Sequence, residues 1–118
     1  MDRNFSVVHV ADGAEVEVPV ESRQAMLKEL FGRLNKAHFF SKGQFVKWKP
    51  GLKNRKFPEY GEPVIVTEVI NDPVFDPNEN CAASPYFQEP LTVVIGTYRD
   101  ADLLEFRLDG RRLEPFEP

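Results

Sequence analysis

The sequence predicts an α+β protein in which an N-terminal β-hairpin and one amphipathic helix precede a five-stranded β-barrel. Three observations carry this expectation. Valine-rich runs flank Ala11-Asp12-Gly13, a helical stripe of apolar residues follows Pro19, and from Gly43 onward short runs are separated by Pro, Gly and Asn. At 118 residues the chain has the size of one domain. Residues 1–42, hairpin plus helix, are expected to pack on a barrel formed by residues 43–118.

The hairpin covers residues 5–18. A two-residue turn at Asp12-Gly13 would set Val8 against Glu17 and mix apolar with acidic groups on one face. A three-residue loop with Gly13 left-handed pairs Val8 with Val16 and Val10 with Ala14, so it is the preferred register. His9 then faces Glu15, an exposed cross-strand partner rather than a ligand or a base.

The helix is predicted over residues 22–39, with Ser22 as N-cap and Gly43 as terminator. Leu27, Leu30, Phe31, Leu34 and His38 recur at helical spacing and form the face expected to pack.

Five strands are placed beyond it. In residues 44–49, Val46 and Trp48 point inward while Phe45, Lys47 and Lys49 point outward. Residues 63–70 are too apolar for their faces to be told apart. In residues 91–98, Leu91, Val93 and Ile95 share a face. In residues 103–108, Leu104, Phe106 and Leu108 face inward, after a tight turn at Arg99-Asp100-Ala101-Asp102. A short piece at 112–116 closes the sheet. Two long connections remain, residues 49–61 and the proline-rich 71–90, and loops of that length tend to carry function.

The opening Gly43-Gln44-Phe45-Val46-Lys47-Trp48, the long first loop, the late tight hairpin and the closing Leu113-Glu114-Pro115-Phe116 resemble the layout of SH3-like small β-barrels, which include Tudor and KOW domains. The resemblance covers residues 43–116 and implies a five-stranded SH3-like β-barrel. No set of positions matches the Tudor aromatic cage. The stretches Trp48-Lys49-Pro50-Gly51-Leu52-Lys53-Asn54, Tyr60-Gly61-Glu62-Pro63, Ser84-Pro85-Tyr86-Phe87 and Arg111-Arg112-Leu113-Glu114-Pro115 are similar to small bacterial and phage proteins of no assigned activity. That likeness implies an accessory or regulatory protein of a phage or mobile element.

Charge is distributed in blocks. The net charge is -4, yet residues 35–58 hold seven basic groups and no acid, whereas residues 59–98 hold seven acids and no base. Ten Phe, three Tyr and one Trp supply many large side chains to bury or display. Cys81 is the one cysteine and cannot form an internal disulfide. With no signal-peptide pattern near Met1 and no long apolar run, the expected setting is the cytoplasm, away from membrane.

Motifs for chemistry are sparse. Glycines stand singly, so no phosphate cradle is indicated, and one Cys with two distant His does not make a zinc site. Asp72, Asp76, Asn78 and Glu79 lack the EF-hand spacing and read as solvated loop acids. Neither a cofactor nor a metal is expected, and the chain is not expected to be an enzyme. An enzyme would need Cys81 beside a histidine.

The expected activity is protein binding by a non-catalytic module. Its surface combines Lys47, Lys49, Lys53, Arg55, Lys56, Phe57 and Tyr60 with Phe75, Tyr86 and Phe87 of the second loop. The alternative is nucleic-acid binding through the basic segment 42–56, since phosphates require charge and bases flat faces. Weighed ahead of it for that segment is a basic loop neutralised by the protein's own acids. Self-association through the hairpin's strand edges is a further expectation.

Overall fold

The computed structural model describes residues 4–10 and 13–117. Its elements are β1 (Phe5–His9), β2 (Glu15–Pro19), α1 (Val20–Asn35), β3 (Phe45–Trp48), β4 (Val64–Val74), β5 (Leu91–Arg99), β6 (Asp102–Leu108), a 3-10 turn (Gly110–Arg112) and β7 (Leu113–Pro115). One helix with a two-stranded and a five-stranded sheet makes the protein α+β. The chain divides into two compact units, Met1–Asn35 and Lys36–Pro118.

In the first unit β1 and β2 pair antiparallel, with Val8 opposite Val16 and His9 opposite Glu15. The Val10 N–H donates to the Ala14 carbonyl at 3.0 Å, the Gly13 N–H to the Val10 carbonyl at 2.9 Å, and Gly13 takes φ +84°. The three-residue register thus holds. Ala11 and Asp12, which complete the predicted loop, lie outside the described residues. His9 Nδ1 stands 3.7 Å from Glu15 Oε1 on an exposed face, an arrangement worth at most about 1 kcal/mol.

The helix departs from expectation at both ends. It begins at Val20, whose N–H donates to the Asn4 carbonyl, so Ser22 lies inside the first turn and is no N-cap. It stops at Asn35, a residue whose side-chain amide competes for backbone hydrogen bonds, and leaves His38 outside. None of its residues is buried, and Leu27 and Phe31 of the predicted packing face are 59 % and 65 % exposed. Local contacts brace it instead. The Arg33 guanidinium pairs with Glu29 one turn back, and Arg23 Nη1 donates to the Val7 carbonyl at 2.9 Å.

The second unit is the five-stranded antiparallel sheet, ordered β6-β5-β4-β3-β7. Alternation sends Val46, Trp48, Val64, Val66, Val93, Ile95, Leu108 and Leu113 into one core, with Phe40 packed against it. Each such buried side chain contributes on the order of 1.5–3 kcal/mol. Trp48 also meets its polar demand, because Nε1–H donates to the Pro58 carbonyl at 2.6 Å.

β4 runs past the predicted end at Ile70 to Val74. Register shifts between Val66 and Glu68 and between Val69 and Val74 carry it there, and Pro73 falls in the second irregularity, where a missing N–H costs no ladder bond. The β5–β6 hairpin closes on Arg99 opposite Asp102, with Asp100 and Ala101 at φ +50° and +68°, the sign of a primed two-residue turn.

Two predicted orientations are corrected. Lys49 is not outward: it is 2 % exposed and its Nζ donates to the Lys36 carbonyl at 2.7 Å. The strand ends at Trp48, and beyond that point alternation no longer governs the side chain. On β6 only Leu108 is buried, while Leu104 and Phe106 are 44 % and 36 % exposed. The cause is position: among the described residues β6 pairs with β5 alone, so β6 and β7 are the two edges of the sheet. The predicted closed cylinder is an open ladder at those edges.

Candidate protein-binding groove

The loop joining β3 to β4 and the loop joining β4 to β5 leave opposite ends of β4 and meet through their side chains. They are bound together by Glu89, whose side chain is 4 % exposed. Its carboxylate accepts from Arg55 Nη2 at 2.5 Å and from the Asn54 amide, and Arg112 Nε lies 3.2 Å away. Burying a carboxylate this deeply is costly unless partners of this kind satisfy it. The Arg55 guanidinium also lies over the Tyr86 ring, 4.0 Å from its centroid. A base of the first loop is therefore neutralised by an acid of the second.

The remaining predicted residues scatter. Lys53 Nζ reaches Glu59 at 3.8 Å and sits over Tyr60, whose hydroxyl accepts from the Lys53 N–H. Lys47 lies over Phe116, on the β7 side of β3. Phe87 is half-buried within its own loop, its N–H donating to the Ser84 carbonyl. Burial is the first cause that lowers the Lys49 ammonium below its usual pKa, with Glu114 opposing and Lys36 reinforcing the shift. His38 is likewise lowered by burial, then by Lys49 and Lys36.

Four of the ten converge. Arg55, Lys56, Phe57 and Phe75 line a groove of about 590 Å³, within the usual range for binding clefts. One wall is residues 55–57, a second is residues 74–78, and the third is residues 105–108 of β6. Consecutive residues of a strand point to opposite faces. Four consecutive residues of β6 line the groove, so it runs along that strand, and Leu91 of β5 beside Val74 of β4 closes its end. Phe57, Phe75 and Phe106 are each between 36 % and 49 % exposed there.

Phe57 is held from behind. Lys56 Nζ lies 5.6 Å and the Arg99 guanidinium 4.7 Å from its ring centroid, and Arg99 Nη2 donates to Glu62 Oε1 at 2.7 Å. Burial would raise the Glu62 carboxyl. Hydrogen bonds from the Thr97 hydroxyl, the Glu59 N–H and Arg99, with the charge of Arg99, outweigh it and hold Glu62 below the usual carboxylate range.

Sequence reasoning missed β6 as a wall and Glu89 as the clasp. The first comes from β7, which pairs with β3 and leaves β6 unpaired on one side, where the sequence leads one to expect a closed sheet. Glu89 carried no signal in the sequence, as its partners stand 34 and 35 positions away. Among the described residues no group of acidic, Cys or His side chains could hold a metal, and Asp76 and Glu79 bond within their own loop, to the Asn78 N–H and the Ser84 hydroxyl. Cys81 is an exposed free thiol. No helix among the described residues is long and apolar enough to cross a membrane. Comparisons with protein-family models, curated proteins and solved structures return no match.

Proposed function

We propose that the chain is a non-catalytic protein-interaction module whose groove takes an extended segment of a partner. The observation that carries this reading is that half-exposed Phe57, Phe75 and Phe106 line one groove with β6, an edge strand of the sheet. A strand laid along such an edge gains main-chain hydrogen bonds from the strand and side-chain contacts from the walls. The SH3-like layout fits the same reading, with β7 entering from a 3-10 turn to pair with β3 and long loops on either side of one surface.

Nucleic acid fits the groove less well. Arg55 is occupied by Glu89, Lys53 by Glu59, and Lys49 is buried. Within the groove Lys56 and Arg107 share the walls with Asp76 and Glu105, so no single-sign field forms there.

Selection from a displayed library of random peptides, run beside a single-stranded oligothymidine probe, tests the proposal. The expected result is enrichment of peptides whose binding is lost in Phe75→Ser and Phe106→Ser variants that still fold, with the oligothymidine left unbound. Failure to enrich any peptide, together with oligothymidine binding that falls steeply with salt, would replace it with the nucleic-acid reading.

A further inference from the structure

The groove's edge strand has a feature that the walls do not explain. Residues 104–108 read Leu-Glu-Phe-Arg-Leu, a sequence that is its own complement when reversed about Phe106. Laid antiparallel on a second β6, Phe106 meets Phe106, Glu105 meets Arg107 and Arg107 meets Glu105, while Leu104 comes level with Leu108, whose side chain is buried in its own core. Opposed unlike charges and opposed aromatic rings are both favourable cross-strand pairs. Every residue also falls on the same face as its partner, as the pleat requires.

The strand is free to do this. Among the described residues its backbone is paired on one side, by β5, and alternate residues of such a strand turn N–H and C=O outward. Glu105 and Arg107 are exposed, and the Glu105 carboxylate holds a single hydroxyl, that of Thr67, at 2.7 Å. Edges of this kind are commonly blunted by lysine or proline. β6 carries neither, and Leu103, Leu104 and Phe106 are 63 %, 44 % and 36 % exposed along it.

We infer that the protein self-associates through β6, the edge strands of two copies pairing antiparallel about Phe106 with two Glu105–Arg107 ion pairs across the junction. This rests on the groove reading and names its occupant as a second copy of the chain. A two-fold interface of this type is self-complementary and closed, so it yields a dimer and not a fibre.

Sedimentation equilibrium of the full chain over a wide concentration range tests it with four proteins. Wild type sediments as a dimer. Glu105→Arg alone and Arg107→Glu alone each set like charges opposite one another twice, and weaken dimerisation about tenfold or more. The variant carrying both changes restores the opposite charges and dimerises as wild type does. An equal mixture of the two single variants forms the heterodimer, in which every pair is again complementary. Far-ultraviolet spectra like that of wild type show that all four proteins fold. A wild type that stays monomeric throughout, or single variants that dimerise as well as wild type, overturns the inference. The peptide selection reads the groove independently, so a monomer that still captures peptides loses the second copy alone, and a monomer that captures none loses both.

Discussion

Arg55 Nη2 and Glu89 Oε1 lie 2.5 Å apart although 34 positions separate them in the chain, and the carboxylate is almost wholly withdrawn from water. Removing one partner of a buried ion pair leaves the other uncompensated. Glu89→Gln strands Arg55 and Arg112 together, so it should cost about 3 kcal/mol. Urea unfolding measures this directly, and a midpoint unchanged from wild type would show that the clasp is ornamental.

Trp48 supplies both bulk and a donor to the core. Trp48→Phe removes the indole N–H that the Pro58 carbonyl accepts and leaves a void beside it, for a combined loss of about 2 kcal/mol or more. The loss should appear as a lower melting temperature with the strand content of the far-ultraviolet spectrum retained. An equal melting temperature would mean that the carbonyl finds water instead.

Ala101 holds a left-handed backbone, φ +68°, in the tight turn between β5 and β6. Glycine takes that conformation without the steric cost of a Cβ, although it loses more freedom on folding. The balance favours Ala101→Gly by about 0.5–1 kcal/mol. A lowered urea midpoint would contradict the strain argument.

Glu62 gives the protein an acid-sensitive strut. Its folded pKa lies below the ordinary 4.5, so its stabilisation is present in full above that value and fades as pH falls through the folded value. Glu62→Gln should therefore be less stable than wild type at neutral pH, with the two unfolding curves converging in acid. Curves that run parallel across the whole range would exclude the ion pair with Arg99 as the cause.

What the residues disclosed in advance divides along a physical line. Period-two alternation placed Val46, Trp48, Val93 and Ile95 inside, and turn chemistry chose the register of Val8 with Val16, because both depend on neighbours close in the chain. The helix stripe at Leu27 and Phe31 was legible as a pattern. Its burial was not, since a pattern states what a face can do and not what covers it. Phe106 illustrates the same gap: it alternates like a core residue, but an edge strand has a neighbour on one side only. The loop residues fared unevenly. Arg55, Lys56, Phe57 and Phe75 meet at the groove, whereas Lys49 turns inside and Lys47 faces Phe116, because long loops follow contacts that local spacing does not encode.

The clasp at Glu89 also sets what the cleft can admit. Arg55 belongs to one lip and Glu89 and Tyr86 to the loop that forms the other, so prising the lips apart requires breaking a charged contact and unstacking a ring. The opening behaves as a slot of fixed gauge. A single extended backbone needs about 5 Å beside its neighbour and a helix about 10 Å across, and a slot that resists widening discriminates between them by calibre before any side chain is read.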